Sequence, residues 1–185
     1  MSAHRPASAC IGDGVTPVQD RVVCREHPGV PALGLEHIGQ QTLDITQWAS
    51  AEDFGARGMR FEAGDVLMGR LRPGFRKLVL ADRAGICTPE AWVLRPKRGI
   101  DPHFALYRLA AGDVIDTAVA SSAGSRMPRA RWTAVGEMPV CWPSLEDQRR
   151  LAELPRALDA QRASERVAVA AALALARAFL RAAPS

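Results

Sequence analysis

Two periodicities divide the chain. Up to about residue 143, apolar residues come in short runs, many alternating with polar ones, separated by Gly, Pro and Asp; this is the signature of strands and turns. From Ser144 onward they recur at alternating spacings of three and four, the signature of a helix. Residues 1–14 are small, polar and Gly-containing, and read as a poorly ordered lead-in. A strand is expected over residues 16–24, a turn at Pro28-Gly29, and a second strand over residues 32–38. Residues 47–60 fit a loop with a short helical turn. Gly64-Asp65 then opens a hairpin: Val66 to Arg72 out, Pro73-Gly74 at the tip, Phe75 to Ala81 back. Period-two geometry puts Leu67, Gly69 and Leu71 on one face and Arg70 and Arg72 on the other with Val66 and Met68, so the two arginines are expected as neighbours. A further turn at residues 82–85 leads into strand character from Ile86 to Leu94, around Pro89.

Asp101-Pro102 is a helix start, with the acid at the N-cap and proline in the first turn. That helix stops at Gly112 and a second one runs over residues 113–120. Residues 121–132, SSAGSRMPRARW, break all periodicity before a last short strand at residues 137–141. Ser144 with Asp147 three residues on resembles a capping box. The helix it opens covers about 38 residues, roughly 55 Å if continuous. Leu151, Leu154, Leu158, Gln161, Glu165, Ala168, Ala172, Leu175 and Phe179 form a heptad seam along it. Pro155 is expected to kink the helix or to split it into 145–154 and 156–182. A seam cannot be buried by its own helix, so its partner lies in the compact domain or in another chain. The class is α+β: a mixed-sheet domain over residues 1–143, then one long coiled-coil-type helix over residues 144–185.

Charge sharpens this picture. The 185 residues carry 24 basic and 20 acidic side chains, unevenly placed. Residues 1–56 hold three basic and seven acidic groups, residues 57–131 fourteen and seven, and residues 132–185 seven and six. A GC-rich genome accounts for arginine in preference to lysine (22 of the 24), but not for its gathering in the middle. Such a block is the footprint of a phosphate-binding surface; the plainer reading is a solvated hairpin tip. Arg70, Arg72, Arg76 and Lys77 at the hairpin and Arg126, Arg129 and Arg131 in the irregular segment are the candidates for contact with a polyanion. Arg95 and Lys97 fit the flank of a strand, and Arg131 beside Trp132 also fits a corner with the guanidinium stacked on indole.

Catalytic and metal chemistry find little support. Cys10, Cys24, Cys87 and Cys141 lie far apart, and Cys24 with His27 offers only half of a zinc site, so no metal and no cofactor is expected. Glu90 and Lys97 are too far apart for the spacing of a metal-dependent nuclease, and no Gly-rich cofactor loop follows a strand. A Cys87 nucleophile would need His37 and Glu90 brought to it. No apolar run is long enough for a membrane span, which reads as a cytoplasmic protein with reduced thiols and no membrane partner.

Four segments in order, GLEHIG (34–39), GDVLMGRLRPGFRK (64–77), GICTPEAWVLRPKRGIDPHF (85–104) and GSRMPRARW (124–132), resemble the specificity (S) subunits of type I restriction–modification systems. PSLEDQRRLAEL (143–154) is similar to that family's step from a globular recognition domain into its long helix. The resemblance covers roughly residues 30–160. It implies a DNA target-recognition domain without catalytic activity, binding double-stranded DNA. It also implies docking on a methyltransferase (M) subunit and, through the complex, on a restriction/translocase (R) subunit. His37, within GLEHIG, joins the DNA-contact candidates. Family members carry two recognition domains and two long helices, whereas this chain has one of each, as a half-subunit would; a homodimer through the helix would restore the twofold arrangement. Against this stand two alternatives: a helical interaction scaffold that binds no DNA, and an inactive remnant of such a subunit.

Overall fold

The computed structural model describes residues 9–55, 57–122 and 126–182. In chain order the elements are β1 (Ala9–Cys10), α1 (Ile11–Gly14), β2 (Val15–Val18), β3 (Arg21–Val22), β4 (Pro31–Leu33), β5 (Ala49–Ser50), β6 (Gly58–Phe61), β7 (Val66–Gly69), β8 (Leu78–Leu80), β9 (Gly85–Cys87) and β10 (Ala91–Pro96). There follow α2 (Pro102–Leu109), α3 (Gly112–Ser121), α4 (Trp132–Gly136), β11 (Pro139–Val140) and α5 (Leu145–Ala182). The strands form an antiparallel sheet in the order β2-β10-β7-β8, a second sheet in the order β3-β6-β9-β4-β5, and the small β1-β11 pair. Within the second sheet β4 and β9 run parallel and the other neighbours antiparallel, so the sheet is mixed and the molecule α+β.

Alternation along the strands of the first sheet explains the layering. Val66, Met68, Leu78, Trp92 and Leu94 point to one face and meet Ala105, Leu106, Leu109, Val114, Ile115 and Ala118 of α2 and α3. Leu67, Val79, Ala91 and Val93 point to the other and meet Leu33, Phe61 and Cys87 of the second sheet. Period two thus lets one sheet serve two cores. A third, smaller core of Cys24, Ala32, Ala51 and Ile86 closes the outer face of the second sheet.

Several expected elements change where distant pairing overrides local pattern. Of the lead-in expected over residues 1–14, residues 1–8 lie outside the described residues, and residues 9–14 are not loose: β1 pairs with β11, and Ile11 is fully buried. The stretch 16–24 breaks into β2 and β3, which join different sheets. The expected strand over residues 32–38 ends at Leu33 and becomes a 3-10 turn at Leu35–His37. Residues 86–94 likewise divide between the two sheets, as β9 and β10. At the hairpin, β7 ends at Gly69, so the alternation expected to pair Arg70 with Arg72 is lost. The tip is a 3-10 turn, Pro73–Phe75, flanked by Arg72 (φ 49°) and Arg76 (φ 51°), and the return strand starts only at Leu78.

Helix α5 follows its caps closely. Ser144 Oγ accepts the Asp147 backbone N–H (3.2 Å) and donates to the Asp147 carboxylate (2.7 Å). The helix does not split at Pro155 but runs through it. The bond that proline forfeits would have reached the carbonyl of Leu151, on an exposed stretch where water can take its place. Gln148, Ala152, Pro155 and Asp159 form the row that faces α2. Gln148, 1% exposed, accepts the Asp101 N–H (2.8 Å) and donates to the carbonyls of Gly99 (3.2 Å) and Pro143 (2.8 Å). Further along, the Tyr107 hydroxyl donates to Asp159 at 2.9 Å. The seam lies to the side of this row, with Leu151, Leu154 and Leu158 at 59%, 68% and 46% exposure. Ala168 and Ala172 are also exposed, while the side chains of Leu175 and Phe179 lie outside those described. The compact domain therefore leaves Leu151, Leu154 and Leu158 uncovered.

Candidate nucleic-acid interface

The chain brings its two basic segments together by backbone pairing. Arg70 N–H donates to the Glu90 carbonyl and Arg70 C=O accepts from Ala130 N–H, each at 2.8 Å. Arg72 N–H donates to the Pro128 carbonyl at 2.8 Å, and Leu71 bridges Arg129. An irregular segment of residues 126–131 is thus stitched along the end of β7. A third segment joins from the opposite side: Lys77 Nζ donates to the Leu35 carbonyl, and Gln41 N–H to the Arg76 carbonyl (3.3 Å).

Beside this junction lies a groove of about 660 Å³. Arg21, Arg57, Arg70, Arg129 and Arg131 line it, with Trp92 and Trp132 among its apolar walls. The two indoles meet edge to face, 5.5 Å between centroids at 76°. Their packing follows from Trp92 standing on the helix-facing side of β10 and Trp132 opening α4. Gly58, also in the lining, has no room for a side chain: a Cβ there would collide with Ile86 and with the Cys24 sulfur.

Electrostatically the groove's lining is cationic, and one of its arginines is paired with a carboxylate outside the lining. Arg129 grips Glu90 with two hydrogen bonds of 2.7 Å, and that grip holds the Glu90 carboxyl below its usual range, against the opposing effect of burial. Arg70 adds a weaker attraction to Glu90, and its Nε is buried without a hydrogen-bond partner. Arg21, Arg57 and Arg131 form no ion pair with described residues. Other basic residues are consumed by the fold. Arg95 binds buried Asp65 (2.8 and 2.9 Å) and Glu62 (3.1 Å), and Lys97 Nζ donates to the Gly12 carbonyl (2.8 Å). Their place on a strand flank is structural.

The expected contact residues divide accordingly. Arg70, Arg129 and Arg131 share the groove. Arg72 and Arg126 line a separate hollow of about 590 Å³ with Pro73, Phe75, Val119 and Pro128. Arg76 is half-buried, its guanidinium 3.8 Å from where a side chain at Gly112 would begin, and Lys77 is tied to the Leu35 carbonyl. His37 caps its own turn: Nδ1 accepts the Gly34 N–H (3.0 Å), and the ring packs edge-on to Phe54. The cation–π contact described is Arg83 over Trp48, at 5.0 Å, and not one between Arg131 and Trp132. Arg21 and Arg57 escaped the sequence reading because β3–β6 pairing brings them to the groove, and neither stands in a basic cluster.

Cys87 is buried, and that burial, with Asp65 and Cys24 adding, pushes its thiol up to about 12, which leaves almost no thiolate nucleophile at neutral pH. Among the described residues no three His, Cys, Asp or Glu side chains gather as a metal site would require. No helix in the described residues is long and apolar enough to cross a membrane.

Comparison with solved structures places this architecture. A chain from a type I R-M system, solved for its complex assembly and conformational transition, superposes with a TM-score of 0.70 at 19% identity, over 89% of this chain and 45% of that one. The HsdS subunit from Thermoanaerobacter tengcongensis superposes with a TM-score of 0.69 at 22% identity, with the same coverages. The fold is therefore that of a type I specificity subunit, over somewhat less than half the length of those chains. No family model and no curated protein matches the sequence.

Proposed function

We propose that the chain serves DNA specificity in a type I restriction–modification system, as one recognition domain with its long helix. Residues 1–143 would recognise double-stranded DNA, and residues 144–185 would hold that domain at a set distance from its partners. The observation that carries this reading is the groove in which arginines from four separate segments converge around two tryptophans. Guanidinium groups bind phosphates and pair bidentately with guanine, and the fixed backbone junction at residues 70–72 and 128–130 supplies the rigid presentation that base reading requires. Arg70, Arg129 and Arg131 are assigned to the groove contact, with Arg21 and Arg57 beside them and Arg72 and Arg126 at the neighbouring hollow.

In this reading α5 pairs along Leu151, Leu154 and Leu158 with α5 of a second copy, as an antiparallel coiled coil. Two recognition domains related by twofold symmetry would then read an interrupted palindrome whose gap is set by helix length. The M subunit would dock on the same helical region and supply methylation, and the R subunit would join through the complex and supply cleavage; acting on chromosomal DNA places all of them in the cytoplasm. The rival reading, a scaffold acting only through α5, is favoured by the same exposed leucines. Sequencing the methylated motifs of cells with and without this chain separates the two. Loss of one modified motif is the expected result, and an unchanged methylome favours the scaffold or a remnant.

A further inference from the structure

The tip of the β7–β8 hairpin carries a feature that the arginine groove does not explain. Phe75 is 44% exposed at the end of the Pro73–Phe75 turn, and Val119, 43% exposed, lines the same hollow. An apolar ring held out at a tip would ordinarily fold back against its neighbours. Here the turn that carries the ring is held by its backbone. Pro73 is buried and fixes one dihedral, and the residues on either side of the turn, Arg72 and Arg76, are both left-handed. Glycine or asparagine would hold such positions at less strain, so two arginines there mark a conformation that the surroundings enforce. The enforcing contacts are the Arg72 N–H to Pro128 carbonyl bond at 2.8 Å, the Phe75 N–H to Arg72 carbonyl bond at 3.0 Å, and the Gln41 bond to the Arg76 carbonyl.

The rim of this apolar tip is cationic. Arg72 and Arg126 line the same hollow as Phe75, and both are exposed. A partner that meets all three must offer a flat apolar face set between negative charges, which is what a base-pair step between two phosphate strands presents. A protein surface would need an acidic ring around an aromatic pocket to do the same.

We propose that Phe75 is an aromatic wedge that stacks against a base at one step of the bound duplex, with Arg72 and Arg126 on the flanking phosphates. This rests on the DNA-recognition reading and adds to it a second, separate contact that senses how readily a step unstacks. Flexible pyrimidine–purine steps are the expected position.

The test uses the full chain and a duplex selected by it from a random-sequence library, with 2-aminopurine placed at successive positions. The wild type is expected to raise fluorescence several-fold at one step. Phe75→Ala abolishes that rise and binds about tenfold more weakly with an unchanged salt slope, in line with the loss of one stacked base. Phe75→Trp keeps both the signal and the affinity, which shows that the tip still folds. A Phe75→Ala variant equal to wild type, a wild type that brightens no step, or a loss confined to capture of an M subunit each overturns the wedge while leaving groove binding in place. A wild type that retains no duplex at all overturns the DNA reading and the wedge with it, and loss of binding in Arg70→Ala but not in Phe75→Ala overturns the wedge alone.

Discussion

Glu90 decides how much of the groove's charge is available. Its carboxylate neutralises Arg129 through two short hydrogen bonds and draws on Arg70 as well. Phosphate contact must compete with that pair. Glu90→Gln is therefore expected to tighten binding to duplex of any sequence and to steepen the dependence of affinity on salt by roughly one further counterion. Fluorescence anisotropy against labelled duplex over a salt series measures both. At this scale the sequence was informative about residue type and less so about role. Arg70, and Arg129 with Arg131, were recognisable because each stands in one of two basic clusters along the chain. Lys77 and Arg76 belong to the same cluster as Arg70, yet packing directs them to the Leu35 carbonyl and toward the start of α3. Arg21 and Arg57 gave no local signal, because only strand pairing brings them to the groove.

At the scale of elements, the junction of α2 with α5 sets the direction of the long helix. Gln148 and Tyr107 tie the two, and His103 on α2 feels the charges of Arg156, Asp101 and Asp159. Burial first, and Arg156 second, hold His103 below the ordinary histidine value of 6.5, against the pull of the two carboxylates. Because the folded-state value is the lower one, the unfolded chain takes up its proton first. The stability contribution is thus complete above pH 6.5 and is lost as pH falls from there toward the folded-state value. The urea midpoint should drop between about pH 7.5 and about pH 5.5, and His103→Gln should flatten that part of the dependence. Elements governed by local rules were legible: the Asp101 cap accepts the His103 and Phe104 N–H groups, and Ser144 opens α5. Those governed by distant partners were not. Ile11 reads as part of a polar lead-in until β11 is placed beside β1, and the arginines after Gly69 leave the strand because residues 128–130 capture the backbone there.

For the whole molecule, the uncovered side of α5 is where the proposed second copy would pair. Leu151, Leu154 and Leu158 stand in water, and covering each leucine is worth about 1.5–3 kcal/mol when it is fully buried. In the proposed dimer, replacing both Leu154 and Leu158 by Glu should shift sedimentation equilibrium to the monomer while leaving the far-ultraviolet circular dichroism of the domain unchanged. An unaltered mass would move the pairing surface away from this stripe. Apolar pairing of this kind should be nearly indifferent to salt, whereas DNA binding by arginines should not be. The heptad stripe itself was visible in the sequence. That the compact domain does not cover Leu151, Leu154 and Leu158 follows only from the row Gln148, Ala152, Pro155 and Asp159 facing α2.

That contrast gives the most direct test of the account. Duplex affinity should be measured for the wild type and for Arg70→Ala/Arg131→Ala across a range of salt concentrations. A wild-type affinity that falls steeply with salt, and a double variant that binds more than tenfold more weakly with a slope shallower by about two counterions, is the predicted result. Equal affinities and equal slopes for the two proteins would contradict it.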